Sequence, residues 1–298
     1  MPNQGVEAKP SETAMFAALR RAIAHKEFGN EKFGPDHLAE YFLPPHFRFF
    51  IKFQKIRENT KAKFNEFLPG LNEYMIARTV WGDDLFVDAL RKEYPQIVLL
   101  GAGYDSRAYR FAEFNQATKV FELDIAPTQN RKKKALKKAK INLLERVTLA
   151  PINFNTESLK DVLEKAGYDS DKKTLFIWEG VSYYLKADSV DATLGFVSQF
   201  SPSESVIAFD YVVPMTDENA DAFGVAGFFE TMKKEHGDEA LLFTIDEGGA
   251  ESFLADRGLK MIDHLDNEEI EKKFLTDENG SLIGSMTAHF RFVSASPK

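Results

Sequence analysis

The sequence predicts an α/β fold in which a mostly parallel sheet is covered by helices on both faces. From Gln96 onward, short apolar runs alternate with longer helical patterns, which is typical of right-handed crossovers between parallel strands. The first run, Ile97 to Leu100, leads directly into Gly101-Ala102-Gly103, the pattern of a buried strand that turns sharply into a helix. Two late alternating runs predict an antiparallel edge to the same sheet.

The individual elements follow from the apolar runs and the turn residues between them. The predicted parallel strands are Ile97 to Leu100, Lys119 to Leu123, Val147 to Pro151, Thr174 to Trp178 and Val206 to Tyr211. The helices predicted between them are Thr128 to Ala139, Glu157 to Lys165 and Ala187 to Phe200. The late elements are a helix at Glu251 to Arg257 and strands at Lys260 to His264 and Met286 to Ser294, which bring the sheet to seven strands.

Helical patterns dominate the chain before residue 95. The predicted helices are Ala14 to Phe28, Asp36 to Phe42, His46 to Phe67 and Leu71 to Leu90, separated by breaks that contain proline or glycine. We therefore expect residues 1–95 to form an N-terminal helical cover. Residues 96–298 would then form the ligand-binding domain, with an insertion at about 215–249.

Two stretches are rich in basic residues. The first, His46 to Phe67, mixes phenylalanines with lysines and arginines and could bind an acidic partner or a membrane surface. The favoured interpretation is a helix that packs its aromatic side chains on the main domain and leaves its lysines in water. The second, Arg131 to Lys140, is interpreted as a solvated helix face rather than a nucleic-acid site.

Composition excludes several classes of function. The formal net charge of −8 argues against nonspecific nucleic-acid binding, which requires a surplus of lysine and arginine. The chain has no cysteine, which removes disulfides, thiolate nucleophiles and cysteine-ligated metals. No run approaches the roughly 18 apolar residues of a membrane span, and the polar start lacks the apolar segment of a signal peptide. We expect a cytoplasmic protein with no nucleic-acid, membrane or metal partner.

The glycine turn predicts a nucleoside-binding site. Gly101 and Gly103 let the backbone approach a ligand closely, and Asp124 follows 21 positions later, where an acid can accept hydrogen bonds from both ribose hydroxyls. Glu122 is a competitor that strand alternation is expected to point differently. Ser106 stands where the dinucleotide fingerprint has its third glycine, so S-adenosylmethionine (SAM) fits better than NAD or FAD.

Other polar residues follow the ends of the later strands. Asn153 and Phe154 come after the third strand, where an amide and an aromatic ring could contact adenine. Glu179 ends the fourth strand, on the edge where parallel sheets bind ligands, and Tyr183-Tyr184 follows as a possible pocket wall. Asp210, at the end of the fifth strand, has a weaker claim.

Four motifs in this order, LLGAGYDSRAYRF, FELDIAP, LFIWEGVSYYL and IAFDY, resemble the leucine carboxyl methyltransferase family of class I SAM-dependent methyltransferases, especially its prokaryotic O-methyltransferase branch. Ala77-Arg78-Thr79 with Asp83-Asp84 matches that branch's lead-in. The resemblance runs from about Asp36 to Tyr211 and implies a Rossmann-like, seven-stranded sheet that binds SAM.

The resemblance also implies roles for particular residues. Arg78 would hold the methionine carboxylate of SAM, Gly101 and Gly103 would pass beneath the methionine, and Asp124 would bind the ribose. Asn153 and Phe154 would border the adenine, although that branch usually has Asp-Leu at these positions. Glu179 would meet the amino acid end of SAM. The lysine that eukaryotic members contribute from their N-terminal region has no clear counterpart in this sequence.

The implied reaction is methyl transfer from SAM to an oxygen of a small molecule or peptide terminus. We expect Glu179 and Tyr184 to be the catalytic residues. A carboxylate acceptor needs no general base, whereas a hydroxyl acceptor would need one, with Glu179, His236 and His289 as candidates. The alternatives are an NAD(P)-dependent oxidoreductase on the same sheet and a non-catalytic SAM-binding regulatory protein.

Overall fold

A single seven-stranded sheet organises the molecule. The computed structural model describes residues 9–216 and 242–298. Its strands are β1 (Gln96–Leu100), β2 (Lys119–Asp124), β3 (Val147–Pro151), β4 (Thr174–Trp178), β5 (Val206–Val212), β6 (Leu259–Leu265) and β7 (Phe290–Pro297). They lie in the order β3-β2-β1-β4-β5-β7-β6. The first five pair in parallel, and β7 pairs antiparallel with both β5 and β6, so the predicted fold class is confirmed.

The described helices flank this sheet and precede it. They are α1 (Glu12–Phe28), α2 (Pro45–Phe50), α3 (Gln54–Phe67), α4 (Leu71–Arg91), α5 (Arg107–Arg110), α6 (Ala126–Lys138), α7 (Leu159–Ala166), α8 (Ala187–Gln199), α9 (Ala250–Ala255) and α10 (Asn267–Phe274). Single turns of 3-10 helix lie at Ala39–Phe42 and Ser182–Tyr184. The sequence interpretation missed α10, although Asp266 and Glu269 form a capping box at its start.

The last strand begins later than predicted. Residues 286–289 form a connection against the start of α4, where the amide of Thr287 donates to the carbonyl of Gly70 at 3.2 Å. A β-carbon on Gly70 would lie 2.3 Å from the Thr287 nitrogen, so only glycine admits this close approach. The strand therefore starts at Phe290 rather than Met286.

The basic aromatic stretch forms two helices instead of one. A break at residues 51–53 separates α2 from α3. Ile51 is buried at this break, whereas Phe49, Phe50 and Phe53 are exposed. The prediction that this stretch packs its aromatic side chains on the main domain is therefore wrong for these three phenylalanines.

The N-terminal helices share a hydrophobic core with one face of the sheet. Ala18 and Ile23 of α1 and Phe86 of α4 belong to the same buried cluster as Ile97 and Leu99 of β1. These helices lie against the sheet as the predicted cover would, and the domain boundary near residue 95 stays a prediction.

Residues 217–241 lie outside the described residues. The predicted insertion at about 215–249 falls mostly within this range, as does His236, one of the candidate bases. Among the helices of residues 9–216 and 242–298, none is long and apolar enough to cross a membrane.

Candidate functional site

The candidate site lies at the carboxyl edge of the sheet. The ends of β1, β2, β4 and β5 meet at this edge, and α4 contributes side chains from the N-terminal cover. Ligands bind outside the carboxyl ends of parallel strands, at the point where the strand order reverses. In this sheet the reversal falls between β1 and β4.

The glycine turn after β1 has the backbone geometry that the sequence predicts. Gly101 and Gly103 both have positive φ, at 69° and 48°, a region that residues with a β-carbon rarely adopt. A β-carbon on Gly101 would lie 2.3 Å from Cγ2 of Val181. Ser106 is buried, and its hydroxyl donates to Oδ1 of Asp36 at 2.7 Å, so this position anchors the cover.

Asp124 faces this turn from the end of β2. Its Oδ2 accepts the amide hydrogen of Gly103 at 2.7 Å, and its Oδ1 accepts that of Ile125 at 2.7 Å. Burial raises the pKa of this carboxyl group, and the two backbone hydrogen bonds oppose that shift. Each carboxylate oxygen keeps a second lone-pair direction, so the group can still accept from two hydroxyls of a diol.

The prediction that strand alternation points Glu122 and Asp124 differently is wrong, because residues two apart on a strand share a face. Glu122 differs in depth: it is buried and forms an ion pair with Lys132 of α6 at 2.5 Å. This pair also corrects the interpretation of Arg131 to Lys140 as a wholly solvated face, because Lys132 points into the core.

Arg78 of α4 is the centre of a buried polar cluster. Its Nε donates to Oε1 of Glu179 at 3.1 Å, and its Nη1 donates to Oδ2 of Asp210 at 3.3 Å. The Tyr74 and Tyr183 hydroxyls lie 3.1 and 3.2 Å from the same Nη1. The predicted residues Arg78 and Glu179 thus contact each other directly.

Glu179 lies between two guanidinium groups. Its Oε1 accepts from Arg78, and its Oε2 lies 2.7 Å from Nη2 of Arg107. A β-carbon on Gly180 would lie 2.6 Å from Nη1 of Arg78, and one on Gly82 would lie 2.3 Å from Nη2 of Arg107. Glycine at both positions therefore makes room for the cations that hold this carboxylate.

Asp210 belongs to the same buried polar cluster, although the sequence indicated only a weak claim to the site. It is buried; its Oδ1 accepts the amide hydrogen of Gly180 at 2.7 Å, and Tyr74 donates a short hydrogen bond to its Oδ2. Burial raises the pKa of Asp210, and Arg78 opposes that shift. The signal in the sequence was an acid at the end of an apolar strand, where an unpaired charge would be costly.

The two tyrosines after β4 occupy different environments. Tyr183 is buried and contacts Arg78, whereas Tyr184, the predicted catalytic tyrosine, is 42% exposed and packs edge to face on Tyr183 at 4.7 Å. Tyr184 therefore lies beside the Arg78 cluster rather than within it. Its hydroxyl makes no hydrogen bond to another described residue.

Arg20 of α1 is a cation that the sequence interpretation missed. Its guanidinium lies over the Phe64 ring at 4.0 Å, and its Nε is buried without a hydrogen-bond partner among the described residues. Burial and the charge of Arg78 lower the pKa of Arg20 to about 10. Two guanidinium groups are thus close enough to repel each other, an arrangement that an anion would stabilise.

The remaining predicted residues, Asn153 and Phe154, follow the end of β3. The side-chain oxygen of Asn153 accepts the amide hydrogen of Asn155 at 3.0 Å, and Phe154 packs partly buried against the core. The preceding residue, Ile152, donates its amide hydrogen to the carbonyl of Asp124 at 3.0 Å. The backbone that leads into Asn153 and Phe154 therefore lies close to Asp124, at the end of β2.

His289 is a buried side chain that is poorly suited to accept a proton. Burial and the nearby Arg291 lower its pKa to about 3. Its Nδ1 lies 2.7 Å from the Thr287 hydroxyl. In the part of the chain that the structure describes, no group of three or more histidine, aspartate or glutamate side chains could hold a metal ion.

The first turn of α1 lies across the glycine turn. The Ser11 side chain caps α1 by accepting the amide hydrogen of Ala14 at 3.0 Å, and the Ser11 amide donates to Oγ1 of Thr128 in α6. The β-carbon of Ala14 lies 3.0 Å from the position that a β-carbon on Gly103 would take. The cover is therefore in contact with the proposed nucleoside site.

The chain is similar in sequence to known proteins. The model of the leucine carboxyl methyltransferase family matches residues 14–198. A candidate SAM-dependent methyltransferase of Bacillus subtilis (strain 168) is 29% identical over 220 residues, which are 72% of this chain and 70% of the relative. One from Frankia alni is 36% identical over 132 residues, 44% of this chain and 45% of the relative.

Among solved structures, a duf574 family protein from Streptomyces avermitilis has the same fold. It covers 98% of this chain and 99% of its own length, with a TM-score of 0.60 and 11% sequence identity. At this identity the likeness concerns the fold alone. The matched family model spans more than half of the sequence, and the chain belongs to the leucine carboxyl methyltransferase family.

Proposed function

We propose that this protein transfers the methyl group of SAM to an oxygen, most favourably that of a carboxylate. SAM-dependent methyl transfer follows from the family to which the chain belongs. The oxygen acceptor and the role of each residue are our proposal. The proposed SAM site rests on the pairing of Asp124 with the Gly103 amide at the carboxyl edge of the sheet, and the proposed acceptor rests on the surroundings of Glu179 and His289.

The nucleoside part of SAM would lie against the glycine turn and the Asp124 carboxylate, which contact each other directly. The turn brings the backbone close to the ligand, and the two oxygens of Asp124 accept from the ribose hydroxyls. Asn153 and Phe154, just after β3, are positioned to border the adenine. These contacts require no phosphate, which is consistent with Ser106 being used to bind Asp36 instead of a pyrophosphate.

The methionine carboxylate would bind near Arg78 and Arg20, two cations whose charges oppose each other. Arg78 already contacts two carboxylates, Glu179 and Asp210, whereas Arg20 forms no ion pair with any described residue. We therefore assign Arg20 as the N-terminal cation that the sequence alone could not place. Glu179, fixed between Arg78 and Arg107, would accept a hydrogen bond from the methionine ammonium.

The acceptor argument depends on which groups could remove a proton. Glu179 already contacts two guanidinium groups, burial keeps His289 neutral with a low pKa, and the third candidate, His236, lies outside the described residues. A carboxylate acceptor is already an anion and needs no base. When bound, SAM supplies an activated methyl group: its carbon-sulfur bond breaks as a carbon-oxygen bond forms, which leaves a neutral thioether and a methyl ester.

In this scheme the protein aligns the reactants and excludes water. Tyr184, exposed beside the cluster, would contact the acceptor, and Glu179 would orient the amino acid end of SAM. Both residues therefore act by positioning rather than by proton transfer.

The test has two steps. Isothermal titration should show binding of SAM and no comparable binding of NAD; tight NAD binding without SAM binding would overturn the proposal. Incubation with methyl-labelled SAM and a panel of small carboxylic acids and hydroxyl compounds should then give base-labile methyl esters. Transfer to hydroxyls alone would contradict the carboxylate assignment, and SAM binding without any transfer across the panel would favour a regulatory protein.

A further inference from the structure

Three exposed phenylalanines form a surface at the junction of α2 and α3. Phe49, Phe50 and Phe53 are 55%, 45% and 49% exposed. The Phe49 ring packs edge to face on the other two, at 5.8 and 5.4 Å. We call these residues, together with Lys52 and Lys55, the Phe49 surface. Contiguous exposed apolar groups of this kind mark sites of interaction.

The backbone at this junction is held in place by its own contacts. Nη1 of Arg57 donates to the carbonyls of Ile51 and Lys52, at 2.9 and 3.2 Å, and so satisfies oxygens at the end of α2. Ile51 is 3% exposed and anchors the break in the core beneath. The three rings are therefore presented on an anchored turn, and their exposure is a property of the folded chain.

The charge around the rings is positive. Residues 45–58 contain four basic residues, Arg48, Lys52, Lys55 and Arg57, and one acidic residue, Glu58, in a chain whose net charge is −8. Arg48 lies 3.8 Å from Glu40, whereas Lys52 and Lys55 are exposed and form no ion pair with any described residue. A second copy of this chain would bring the same positive charge to the interface, so self-association through this surface is disfavoured.

We propose that the Phe49 surface binds the face of an anionic phospholipid bilayer. The phenylalanine rings enter the boundary between headgroups and acyl chains, and the two lysines contact lipid phosphates and carboxylates. A bilayer offers an apolar layer beneath an anionic layer, which matches rings flanked by lysines. An acidic peptide without apolar side chains would satisfy the lysines and leave the three rings in water.

Sedimentation with lipid vesicles tests this proposal. The 298-residue chain should bind vesicles of phosphatidylcholine with phosphatidylserine, and should bind vesicles of phosphatidylcholine alone at least tenfold more weakly. Phe49→Ser, Phe50→Ser and Phe53→Ser combined should lower binding at least tenfold. Lys52→Glu with Lys55→Glu should lower it by a similar factor, since each lysine near such a surface contributes about fivefold.

Matched controls come from other exposed residues. Phe114→Ser removes a phenylalanine that is 66% exposed, and Lys137→Glu with Lys138→Glu makes the same charge change on α6. Both should leave vesicle binding unchanged, and circular dichroism should show that all variants are folded. The proposal is overturned by any of three results: no binding to anionic vesicles, equal loss in the controls, or a Phe49 surface that mediates dimers or acidic-peptide binding instead.

Discussion

At the scale of single residues, the proposed cofactor site has two parts that recognise different halves of the ligand. In the proposed site, Asp124 and the glycine turn would face the nucleoside, whereas Arg20 and Arg78 would face the amino acid end. Methylthioadenosine lacks the amino acid carboxylate, so its affinity reports on the nucleoside part of the site alone.

Substitutions in the two parts should therefore give different patterns of affinity. Arg20→Gln should weaken SAM binding by about 1.5–3 kcal/mol through the loss of charged hydrogen bonds, and should leave methylthioadenosine binding unchanged. Asp124→Asn should weaken both ligands by about 1–3 kcal/mol. Isothermal titration measures both affinities, with Arg146→Gln, an exposed arginine before β3, as the control. Equal losses of both ligands in Arg20→Gln would refute its assignment to the carboxylate.

Some of these residues could be predicted and others could not, for a physical reason. Asp124 follows a glycine turn at a fixed distance along the chain, so local pattern is sufficient to identify it. Arg20 comes near Arg78 only because α1 packs across the sheet, and a single sequence does not encode that placement in any local pattern. Asp210 was visible as an acid ending a strand, yet its partners come from α4 and from the turn after β4.

At the scale of elements, β2 and α6 are joined by the buried pair of Glu122 and Lys132. Burial raises the pKa of Glu122, and Lys132 opposes that shift. The Gln129 side chain also donates to the Glu122 carbonyl at 2.8 Å. The helix is thus fixed to the strand that carries Asp124.

Removing the cation should leave an uncompensated acid in the core. Lys132→Met should lower the free energy of unfolding by about 3–5 kcal/mol at neutral pH, as measured by urea denaturation. The folded variant would bind a proton at Glu122 more readily than the unfolded chain, so its stability should fall as pH rises and the deficit should be smaller at pH 5 than at pH 8. Adding Glu122→Gln should recover part of the loss. A deficit that does not change with pH would contradict the explanation.

The parallel strands were predicted well because each is an uninterrupted apolar run bounded by turn residues. The stretch from His46 to Phe67 was predicted less well because an aromatic-rich segment can face the core or the solvent. The break between α2 and α3 leaves Phe49, Phe50 and Phe53 exposed. Similarly, the start of β7 depends on the contact of Thr287 with Gly70, which are distant in sequence.

At the scale of the whole molecule, buried ion pairs join the helical cover to the sheet. Asp36 accepts from Nε of Arg21 in α1 at 2.8 Å and from the Ser106 hydroxyl, and Arg110 approaches it at 3.6 Å. Burial favours the neutral acid, but Arg110 and Arg21 hold the pKa of Asp36 at about 2, below its ordinary value of 3.8. Asp36 therefore stabilises the docked cover as an anion.

This pKa predicts how stability depends on pH. A depressed pKa contributes stability that is present above the unfolded value and is lost as pH falls from about 4 towards 2. Asp36→Asn should lower the free energy of unfolding by about 2 kcal/mol at pH 7, and the difference from the parent protein should shrink across that window. Urea denaturation as a function of pH measures this, with the exposed Asp256→Asn as control. A difference that stays constant down to pH 2 would refute the role of the charge.

The position of α1 bears on the rates at which the cofactor binds and leaves, rather than on its affinity. Its first turn lies over the glycine turn and is fixed there by Ser11 and Thr128, so a nucleoside that contacts Gly103 shares that space with Ala14. If the nucleoside binds at Gly103 as proposed, its entry and the departure of the spent cofactor would both require this turn of helix to move aside. The opening and closing of α1, set by how firmly its end is held, would then govern how long each cofactor stays bound.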